Sequence, residues 1–265
     1  MLYIVPTPIG NLEDMTYRGV RVLKECDLIC CEDTRTSQVL LKHYGIESPT
    51  RSYHKFNEKE ALDGLLDLLR QGKDLALISD AGMPGIQDPG RILIQACIQE
   101  GLDYTVLPGP SAGITAFIAS GFLSESFEYI GFLPEKSGKR KKVLEEVRDH
   151  KNPMIFYEAP HRIQACLEDM REVLGPRQVF LGRELTKKFE DYQGFNLGED
   201  FQDRVKAKGE FVVIVEGDQT QEEVDIQAAL RDCLQEGMKV SQAVKEVAKT
   251  YGLAKNHVYK ESLKL

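Results

Sequence analysis

The sequence predicts an α/β protein whose first half builds one parallel sheet, and three observations carry this prediction. Apolar runs that are too short for helices recur along the first half of the chain, as is typical of strands buried on both faces of a sheet. Loops rich in Gly and Pro follow three of these runs, and a helical pattern follows each loop. Strand, loop and helix units repeated in this way build a parallel sheet with right-handed crossovers.

The central unit is residues 75–90, LALISDAGMPGIQDPG. Leu75–Ile78 is a continuous apolar strand, residues 79–90 form a loop crowded with Gly, Pro and Asp, and Arg91–Glu100 is a predicted helix. A loop in this position lies at the carboxyl edge of the sheet, where open α/β folds bind ligands. A tight connection without a ligand uses the same residue types, so this loop alone leaves both interpretations open.

The other elements of the first half are predicted in order. The strands are residues 2–5, Leu28–Cys31, a short extended piece at 51–54, and 104–107; the helices are Tyr17–Glu25, 60–69 and Ala112–Ser120. Asp14 or Thr16 supplies an N-cap oxygen for the first helix. A Pro-Gly-Pro turn precedes the small-residue helix at 112, which permits either close approach of a ligand or close packing of helix on sheet.

Charged residues follow the second strand. Glu32, Asp33 and Arg35 come directly after it, and therefore lie at the same predicted sheet edge as the rigid loops. A helix N-cap with a surface ion pair would use the same residues. Three rigid loops at one edge nevertheless predict a ligand cleft, and the missing GxGxxG and GxxxxGK[ST] patterns argue against ordinary dinucleotide and P-loop sites.

The second half restarts the α/β pattern after a change in composition at 131–142, which suggests a linker with a basic run. The elements predicted after it are strands 154–157, 179–182 and Phe211–Val215, helix Ile163–Leu174, and three short helices at 224–235, 241–251 (N-cap Ser241) and 255–263, with Gly237 and Gly252 at the breaks. We therefore predict an N-terminal parallel α/β domain (1–133), a second α/β domain (134–218) and a C-terminal helix-turn-helix-like module (219–265).

The composition limits the classes of function. The 265 residues carry a net charge of −8, so phosphate contacts would have to come from local basic patches, at 136–142 and from Lys239 onward. The six cysteines form no CxxC pair, which predicts buried free thiols in a reducing compartment and neither a metal site nor a disulfide. We expect no signal peptide and no membrane-spanning segment, and hence a cytoplasmic protein.

Seven motifs, taken in order, resemble one family. They are VPTPIGNLEDMT, CEDTR, SDAGMPGIQDPG, LPGPSA, GFLPEKSGKRK, FYEAPHR and RELTKKFE. Together they are similar to the bacterial small-subunit ribosomal RNA methyltransferase I family, and the helical tail resembles that family's C-terminal module. The resemblance implies the tetrapyrrole-methylase fold, a homodimer, and S-adenosylmethionine-dependent 2′-O-methylation of a cytidine ribose in the decoding region of 16S rRNA in the small ribosomal subunit. Met83 departs from the Thr expected there.

The resemblance also implies which residues form the sites. The cofactor would lie between the two α/β domains, with residues 210–212 closing the site. The implied cofactor-binding residues are Pro8, Ile9, Asp80, Ala81, Gly82, Met83, Ser111, Ala112, Phe156, Tyr157, Leu185 and Phe211.

Methyl transfer to a hydroxyl gains most from positioning, and a base or a cation helps because the hydroxyl is a poor nucleophile. The catalytic candidates near the predicted cleft are Asp33, Glu158, Glu184 and Lys187. The candidates for RNA phosphate contacts are Arg35, Lys139, Arg140, Lys141, Lys142, Arg162 and Arg183, although a basic run is also what a solvated helix face looks like.

Two other functions remain open from the sequence. A small-molecule tetrapyrrole methylase of the same fold would not need the basic run or the helical tail. A non-catalytic RNA-binding or ribosome-assembly factor would not need three rigid ligand loops in one cleft.

Overall fold

The first five strands form sheet 1 of the computed structural model. They are β1 (Leu2–Ile4), β2 (Leu28–Cys31), β3 (Thr50–Ser52), β4 (Leu75–Ile78) and β5 (Tyr104–Val106). Their order is β3-β2-β4-β1-β5, and every pairing is parallel. The parallel sheet expected for the first half is therefore present, and its strands share one carboxyl edge.

Helices cover both faces of sheet 1. They are α1 (Tyr17–Glu25), α2 (Thr34–His43), α3 (Glu58–Arg70) and α4 (Arg91–Glu100). In β4, Leu75 and Leu77 pack with residues of α3 and α4, whereas Ala76 and Ile78 pack with residues of α1 and α2. Because successive strand residues point to opposite faces, burial on both faces requires the unbroken apolar run that the sequence shows at this strand.

Sheet 2 follows in the chain. Its elements are α5 (Ala112–Ser120), β6 (Glu128–Phe132), α6 (Ser137–Glu146), β7 (Met154–Glu158), α7 (Ile163–Leu174), β8 (Gln178–Arg183), β9 (Asp191–Asn196) and β10 (Phe211–Val215). The strand order is β6-β7-β10-β8-β9. The β6–β7 pairing is parallel, and the other three pairings are antiparallel.

The helix α5 packs on one face of sheet 2, in a cluster with side chains of β7, β8 and β10. Side chains of α6 and α7 pack on the opposite face. Since α5 directly follows the last strand of sheet 1, it carries the loop after that strand onto the second sheet. This connection places the rigid loops of the first half beside the strands of the second.

Residues 131–142 are not the linker that their composition suggests. Gly131 and Phe132 end β6, which is an edge strand of sheet 2, and the basic run forms α6. Sheet 2 therefore begins at Glu128, before the expected boundary at residue 134. The strand β9, which pairs with β8 at the other edge, was not expected from the sequence, because its polar residues show no apolar alternation.

The structure describes residues 1–220, 225–251 and 253–265, which divide into two compact units, Met1–Asp218 and Gln219–Leu265. The second unit contains α8 (Ile226–Gln235), α9 (Val240–Thr250) and α10 (Lys255–Ser262). They pack around a small core of Leu230, Ala243, Val244, Val247 and Val258.

The predicted helices of the tail are close to those observed, with one correction. Ser241 is not an N-cap, because α9 begins at Val240 and Lys239 occupies the capping position. The side chain of Asp225 caps α8 by accepting the Ala228 N–H at 2.9 Å. Val224 and Gly252, which were predicted at a helix start and at a break, lie outside the described residues.

Across the described residues, every helix is too short or too polar to pass through a bilayer.

Candidate functional site

A cavity of about 500 Å³ lies in the first unit, where the loops of sheet 1 meet the strands of sheet 2. Sheet 1 contributes Ile9, Ala81, Gly82, Met83, Ile86, Gln87, Asp88, Ser111 and Ala112, and sheet 2 contributes Tyr129, Phe132, Tyr157, Glu158, Ala159, Pro160, Leu185, Glu210, Phe211 and Val212. We call this cavity the cleft. Its volume is in the range of sites that enclose a single cofactor-sized ligand.

Two of the rigid loops are hydrogen-bonded to each other at the cleft. The Thr7 N–H donates to the Gly82 carbonyl at 2.9 Å, and the Gly82 N–H donates to the Thr7 carbonyl at 3.0 Å. Gly82 has a φ of 75°, and a Cβ there would lie 3.3 Å from the Ile9 side chain. Glycine is needed because a larger residue would be strained and would press on the cleft wall.

The third loop is held against sheet 2. The Gly113 N–H, at the start of α5, donates to the Tyr157 hydroxyl at 3.0 Å. This bond sets Ser111 and Ala112 in the cleft wall opposite Tyr157. One polar contact therefore links the first turn of a helix from the first half to a strand of the second half.

The segment after β8 forms one side of the cleft and is conformationally strained. Glu184 and Thr186 have φ values of 52° and 64°, which residues other than glycine rarely adopt. Between them, Leu185 is 6% exposed and lines the cleft. Residues held in such conformations concentrate at functional sites, which agrees with the position of this segment.

A lysine ties that segment to the start of β10. The Lys187 Nζ lies 3.0 Å from Glu184 Oε1 and 2.9 Å from Glu210 Oε2. Burial acts to lower the pKa of Lys187, but the hydrogen bonds to the two carboxylates outweigh it and raise the pKa. Burial likewise acts to raise the pKa of Glu184, and the bonds from Lys187 and the Glu210 N–H lower it. Lys187 is therefore a cation at neutral pH and does not accept a proton there.

The pKa of Asp88, a carboxyl group in the cleft wall, is raised, in contrast to that of Glu184. Burial raises the pKa of Asp88, the negative charge of Asp80 adds to the rise, and a hydrogen bond from Ser79 opposes it. Burial also raises the pKa of the neighbouring Glu32, helped by the charge of Asp88. This part of the cleft favours a cationic or hydrogen-bond-donating ligand group, which would relieve the cost of the charged carboxylates.

Asp88→Asn should stabilise the ligand-free protein at neutral pH. Between the unfolded pKa and the raised folded pKa of Asp88, the native state binds more protons, so stability falls as pH rises. Asparagine removes that cost, and the gain should be under about 1 kcal/mol because Asp88 is partly exposed and solvent screens it. Urea unfolding at pH 7 and pH 3.5 measures this, and the gain should be present only at pH 7. Asp63→Asn, an exposed carboxylate on α3, is the control; equal gains at both pH values for Asp88→Asn would contradict the expectation.

Nine of the cofactor residues implied by the resemblance line the cleft: Ile9, Ala81, Gly82, Met83, Ser111, Ala112, Tyr157, Leu185 and Phe211. Pro8, Asp80 and Phe156 are not among the lining residues. Phe156 is fully buried in the core on the other face of β7, because its neighbour Tyr157 takes the cleft side. The Asp80 carboxylate accepts the Asp33 N–H at 3.1 Å, so it serves to join two loops.

Seven lining residues were not predicted from the sequence: Ile86, Gln87, Asp88, Tyr129, Phe132, Ala159 and Pro160. The central loop contains Ile86, Gln87 and Asp88, and the FYEAPHR motif contains Ala159 and Pro160. Their membership of these motifs could have predicted that they line the cleft. Tyr129 and Phe132 lie on β6, a strand that was not predicted because the composition of residues 131–142 indicated a linker.

The catalytic candidates occupy different surroundings. Asp33 is the N-cap of α2 and pairs with Arg35, whose hydrogen bonds lower the pKa of Asp33 to about 2. Glu158 is 3% exposed and lines the cleft, but its oxygens accept from the Ala159 N–H at 2.7 Å and the Arg162 guanidinium at 3.1 Å. Glu184 and Lys187 belong to the cluster at the cleft described above. Of these four candidates, Glu158 alone lines the cleft; Glu184 and Lys187 are bonded to the lining residue Glu210, and Asp33 lies outside the lining.

One expected phosphate contact needs correction. Arg140 is 3% exposed, and its Nε donates to Asp169 Oδ2 at 2.6 Å, a bond that joins α6 to α7. A guanidinium in that position cannot reach an RNA backbone. Its burial follows from the helix, which turns Arg140 and Leu144 inward and leaves Lys139 and Lys142 exposed.

The remaining candidates for phosphate contacts differ in whether their side chains already pair with a carboxylate. Lys141 pairs with Glu172 at 2.6 Å, and Arg162 is bound to Glu158 and to the Leu133 carbonyl. Arg183 lies 3.6 Å from Asp191, and Arg35 is exposed but paired with Asp33. Lys139 and Lys142 are thus the best placed of the candidate cations for contacts with a polyanion.

An α/β unit of two sheets, with a cleft between the loops of one and the strands of the other, is the architecture of tetrapyrrole methylases. The family described as tetrapyrrole (corrin/porphyrin) methylases matches residues 1–200, and the family described as the RsmI C-terminal HTH domain matches residues 220–265. The methyltransferase CobJ has a similar structure at a TM-score of 0.62 and 20% identity, over 82% of this chain and 93% of that one. A uroporphyrin-III C-methyltransferase from Thermus thermophilus, complexed with S-adenosylhomocysteine, matches at a TM-score of 0.58 and 18% identity, over 81% and 96%.

Curated relatives narrow the class. Ribosomal RNA small subunit methyltransferase I of Escherichia coli O157:H7 is 45% identical over 99% of this chain and 94% of its own. The protein of the same name from Streptococcus pyogenes serotype M1 is 44% identical over 98% and 93%. The chain belongs to the ribosomal RNA small subunit methyltransferase I family, which confirms the resemblance and the fold class predicted from the sequence.

Proposed function

We propose that this chain transfers a methyl group from S-adenosylmethionine to the 2′-hydroxyl of a cytidine ribose in the decoding region of 16S rRNA. The observation that carries the proposal is the identity of 44–45% with relatives named ribosomal RNA small subunit methyltransferase I, over 98–99% of the chain. That identity extends through the C-terminal unit, whereas the tetrapyrrole-methylase structures cover 81–82% of the chain. We place this activity in the cytoplasm, where ribosomal subunits are assembled.

The residues of the cleft fit S-adenosylmethionine. Ile9, Met83 and Leu185 offer an apolar wall for the adenine and the sulfonium surroundings. The half-buried carboxylate of Asp88 suits the cofactor's ammonium group, because a cation there would offset the cost of its charge. The bound cofactor would supply an electrophilic methyl group; the protein has to hold it and bring the acceptor oxygen in line.

The chain's own contribution to the reaction is mainly positioning, which can account for much of the acceleration of a displacement. The proton of the ribose hydroxyl needs an acceptor, and Lys187 is excluded because its two carboxylate partners hold it in the charged form. Three carboxylates line the cleft among the residues that the structure describes. Glu158 is held by the Arg162 guanidinium and Asp88 is assigned to the cofactor's ammonium group, which leaves Glu210. We propose that Glu210 accepts the proton, while Lys187 holds its carboxylate in place at 2.9 Å.

Transfer of label from S-adenosylmethionine to purified substrates tests the function. Small ribosomal subunits that lack the modification should accept one methyl group, and a precorrin should accept none. Transfer to the precorrin alone would favour a small-molecule tetrapyrrole methylase. Binding to subunits without any transfer would favour a non-catalytic RNA-binding factor.

The C-terminal unit supplies a basic surface for RNA. Residues 239–265 contain six lysines and two glutamates. On α10, Lys255, Asn256, Tyr259 and Lys260 are exposed while Val258 is buried in the small core. We propose that this face of α10 contacts rRNA phosphates, since lysines near a polyanion gain from counterion release.

Exchanging Lys255 and Lys260 together for Gln should weaken binding to the small subunit without changing cofactor affinity. Each phosphate that a lysine no longer neutralises should lower the slope of log affinity against log salt by about one unit, so the pair should lower it by up to about two. Filter binding over a range of salt concentrations measures the slope. Lys24 and Lys59 exchanged together for Gln give a control with the same change in net charge. An unchanged slope in the α10 variant would show that this unit only packs or stabilises the fold.

We also propose that the chain forms a homodimer. The edge strand β5 exposes Tyr104 and Val106, and Ile118 of α5 is 74% exposed. Apolar side chains concentrated at an unpaired strand edge and a nearby helix are typical of an interface between subunits. Sedimentation velocity determines whether the mass is that of one chain or two.

A further inference from the structure

The strand β6 is irregular where it meets the cleft. Its pairing with β7 shifts in register between Tyr129 and Gly131, which is the signature of a β-bulge. In a regular strand, residues three apart point to opposite faces. The bulge puts Tyr129 and Phe132 on the same face, where both rings lie 5.5 Å from the Tyr157 ring and both line the cleft.

Gly131 makes this arrangement possible. Its φ is 78°, and a Cβ at this position would lie 2.3 Å from the amide nitrogen of Gln87. Any other residue would strain the backbone and push away a side chain of the central loop. Bulges of this kind redirect side chains next to functional sites, and the side chain redirected here is Phe132.

Phe132 lies at the open end of the cleft. Its side chain is 54% exposed, and Ile86 on the central loop is 41% exposed. By contrast, the cleft residues Phe211, Val212 and Leu185 are between 3% and 6% exposed. The cleft therefore has a closed apolar floor and a mouth that carries one large aromatic ring open to solvent. A short loop after β6 leads into α6, whose first exposed lysine is Lys139.

We propose that Phe132 is the stacking platform for the nucleobase of the target nucleotide. This inference rests on the proposed function. A ribose hydroxyl that reaches the cofactor in the cleft places its own base within a nucleotide's length, at the mouth. Single-stranded bases presented to proteins are held by stacking on aromatic side chains, and a base taken out of its stack recovers that energy on such a ring.

The exposed ring of Phe132 is a more suitable partner for the nucleobase than for the cofactor. A cofactor that buries most of its surface needs the enclosed floor of the cleft, whereas more than half of Phe132 is open to solvent. Phosphate groups would be attracted to free cations, whereas Phe132 packs against the ring of Tyr157 and the nearby Arg162, on the Leu133 carbonyl, is already paired with Glu158. The phosphates flanking the target would instead extend toward exposed Lys139 on α6, the helix that follows Phe132.

The test uses the full-length enzyme with Phe132→Ala, Phe132→Leu and Phe132→Trp. Base stacking on aromatic rings predicts a loss of about tenfold to a hundredfold in kcat/KM for small ribosomal subunits in the Ala variant. The Leu variant should be nearly as impaired, and the Trp variant should retain activity. Calorimetric affinity for S-adenosylmethionine should stay within about twofold in all three. Phe56→Ala removes an exposed ring outside the cleft and should change neither quantity.

A substrate change separates stacking from packing. Against subunits that carry an abasic ribose at the target, the wild-type enzyme and Phe132→Ala should be equally slow, because the partner of the ring is gone. Full activity of the Leu variant, or a loss of cofactor affinity equal to the loss of kcat/KM, would overturn the stacking role. If the wild-type enzyme transfers no methyl group to intact subunits, the proposed function itself fails; if it does and Phe132→Ala is unimpaired, only the stacking proposal fails.

Discussion

Small ribosomal subunits with 2′-deoxycytidine at the target position should accept no methyl group from this enzyme. The ribose 2′-hydroxyl is the proposed nucleophile, and its removal deletes the acceptor atom while leaving the base and the phosphates in place. The expected effect is complete loss of transfer, larger than any single side-chain change can give. Label transfer to reconstituted subunits measures it directly.

A deoxy substitution at the next nucleotide is the control, and it should leave transfer close to the unmodified level. Binding of the deoxy-substituted subunit should also persist, because most of the affinity for RNA comes from phosphate contacts. Methyl transfer to the 2′-deoxycytidine itself would move the acceptor to the base, and the proposed reaction would have to be abandoned.

Replacing Arg140 by Met should lower the free energy of unfolding by about 3–5 kcal/mol, because it leaves a carboxylate buried without its guanidinium partner. Asp169, the partner, is 7% exposed; it also accepts from Ser137 at 2.9 Å and has Lys141 at 3.6 Å. These interactions are too few or too long to replace the guanidinium. Urea unfolding of the ligand-free protein, followed by circular dichroism, measures the loss.

Two further variants define the origin of that loss. Lys142→Met on the same helix changes an exposed charge and should shift stability by no more than about 0.5 kcal/mol. The double variant Arg140→Met with Asp169→Leu should recover most of the stability, because an apolar pair can replace a buried ion pair. A stable Arg140→Met protein with weakened RNA binding would instead restore Arg140 to the set of phosphate contacts.

Local sequence patterns identified most of the first sheet and its loops. The apolar run at β4 predicts burial on both faces, and the structure buries alternate residues against helices on opposite sides. Gly82 predicts a turn that approaches a ligand, and the structure places it at φ 75° in the cleft wall. These features depend on a few neighbouring residues, so they can be recognised without knowing the rest of the fold.

In the second half of the chain, local sequence patterns do not predict several of the elements. Polar and glycine-containing strands such as β6 and β9 lack the alternation that marks a half-buried strand, and only pairing with β7 and β8 makes them strands. The lysine-rich run at 136–142 has the composition of a linker, yet it forms α6, because one face of that helix meets α7.

By itself, the sequence determined the fold class, the family and the loops that carry the ligand chemistry, because each is encoded in short contiguous motifs. Tertiary structure alone decided which of those residues face the cleft. Arg140 is buried because it pairs with Asp169 of α7, which lies 29 residues further along the chain. Phe132 reaches the cleft mouth because a bulge forms where β6 pairs with β7. Exposure and direction of a side chain depend on contacts with distant segments, and these contacts exist only once α6 has packed on α7 and β6 has paired with β7.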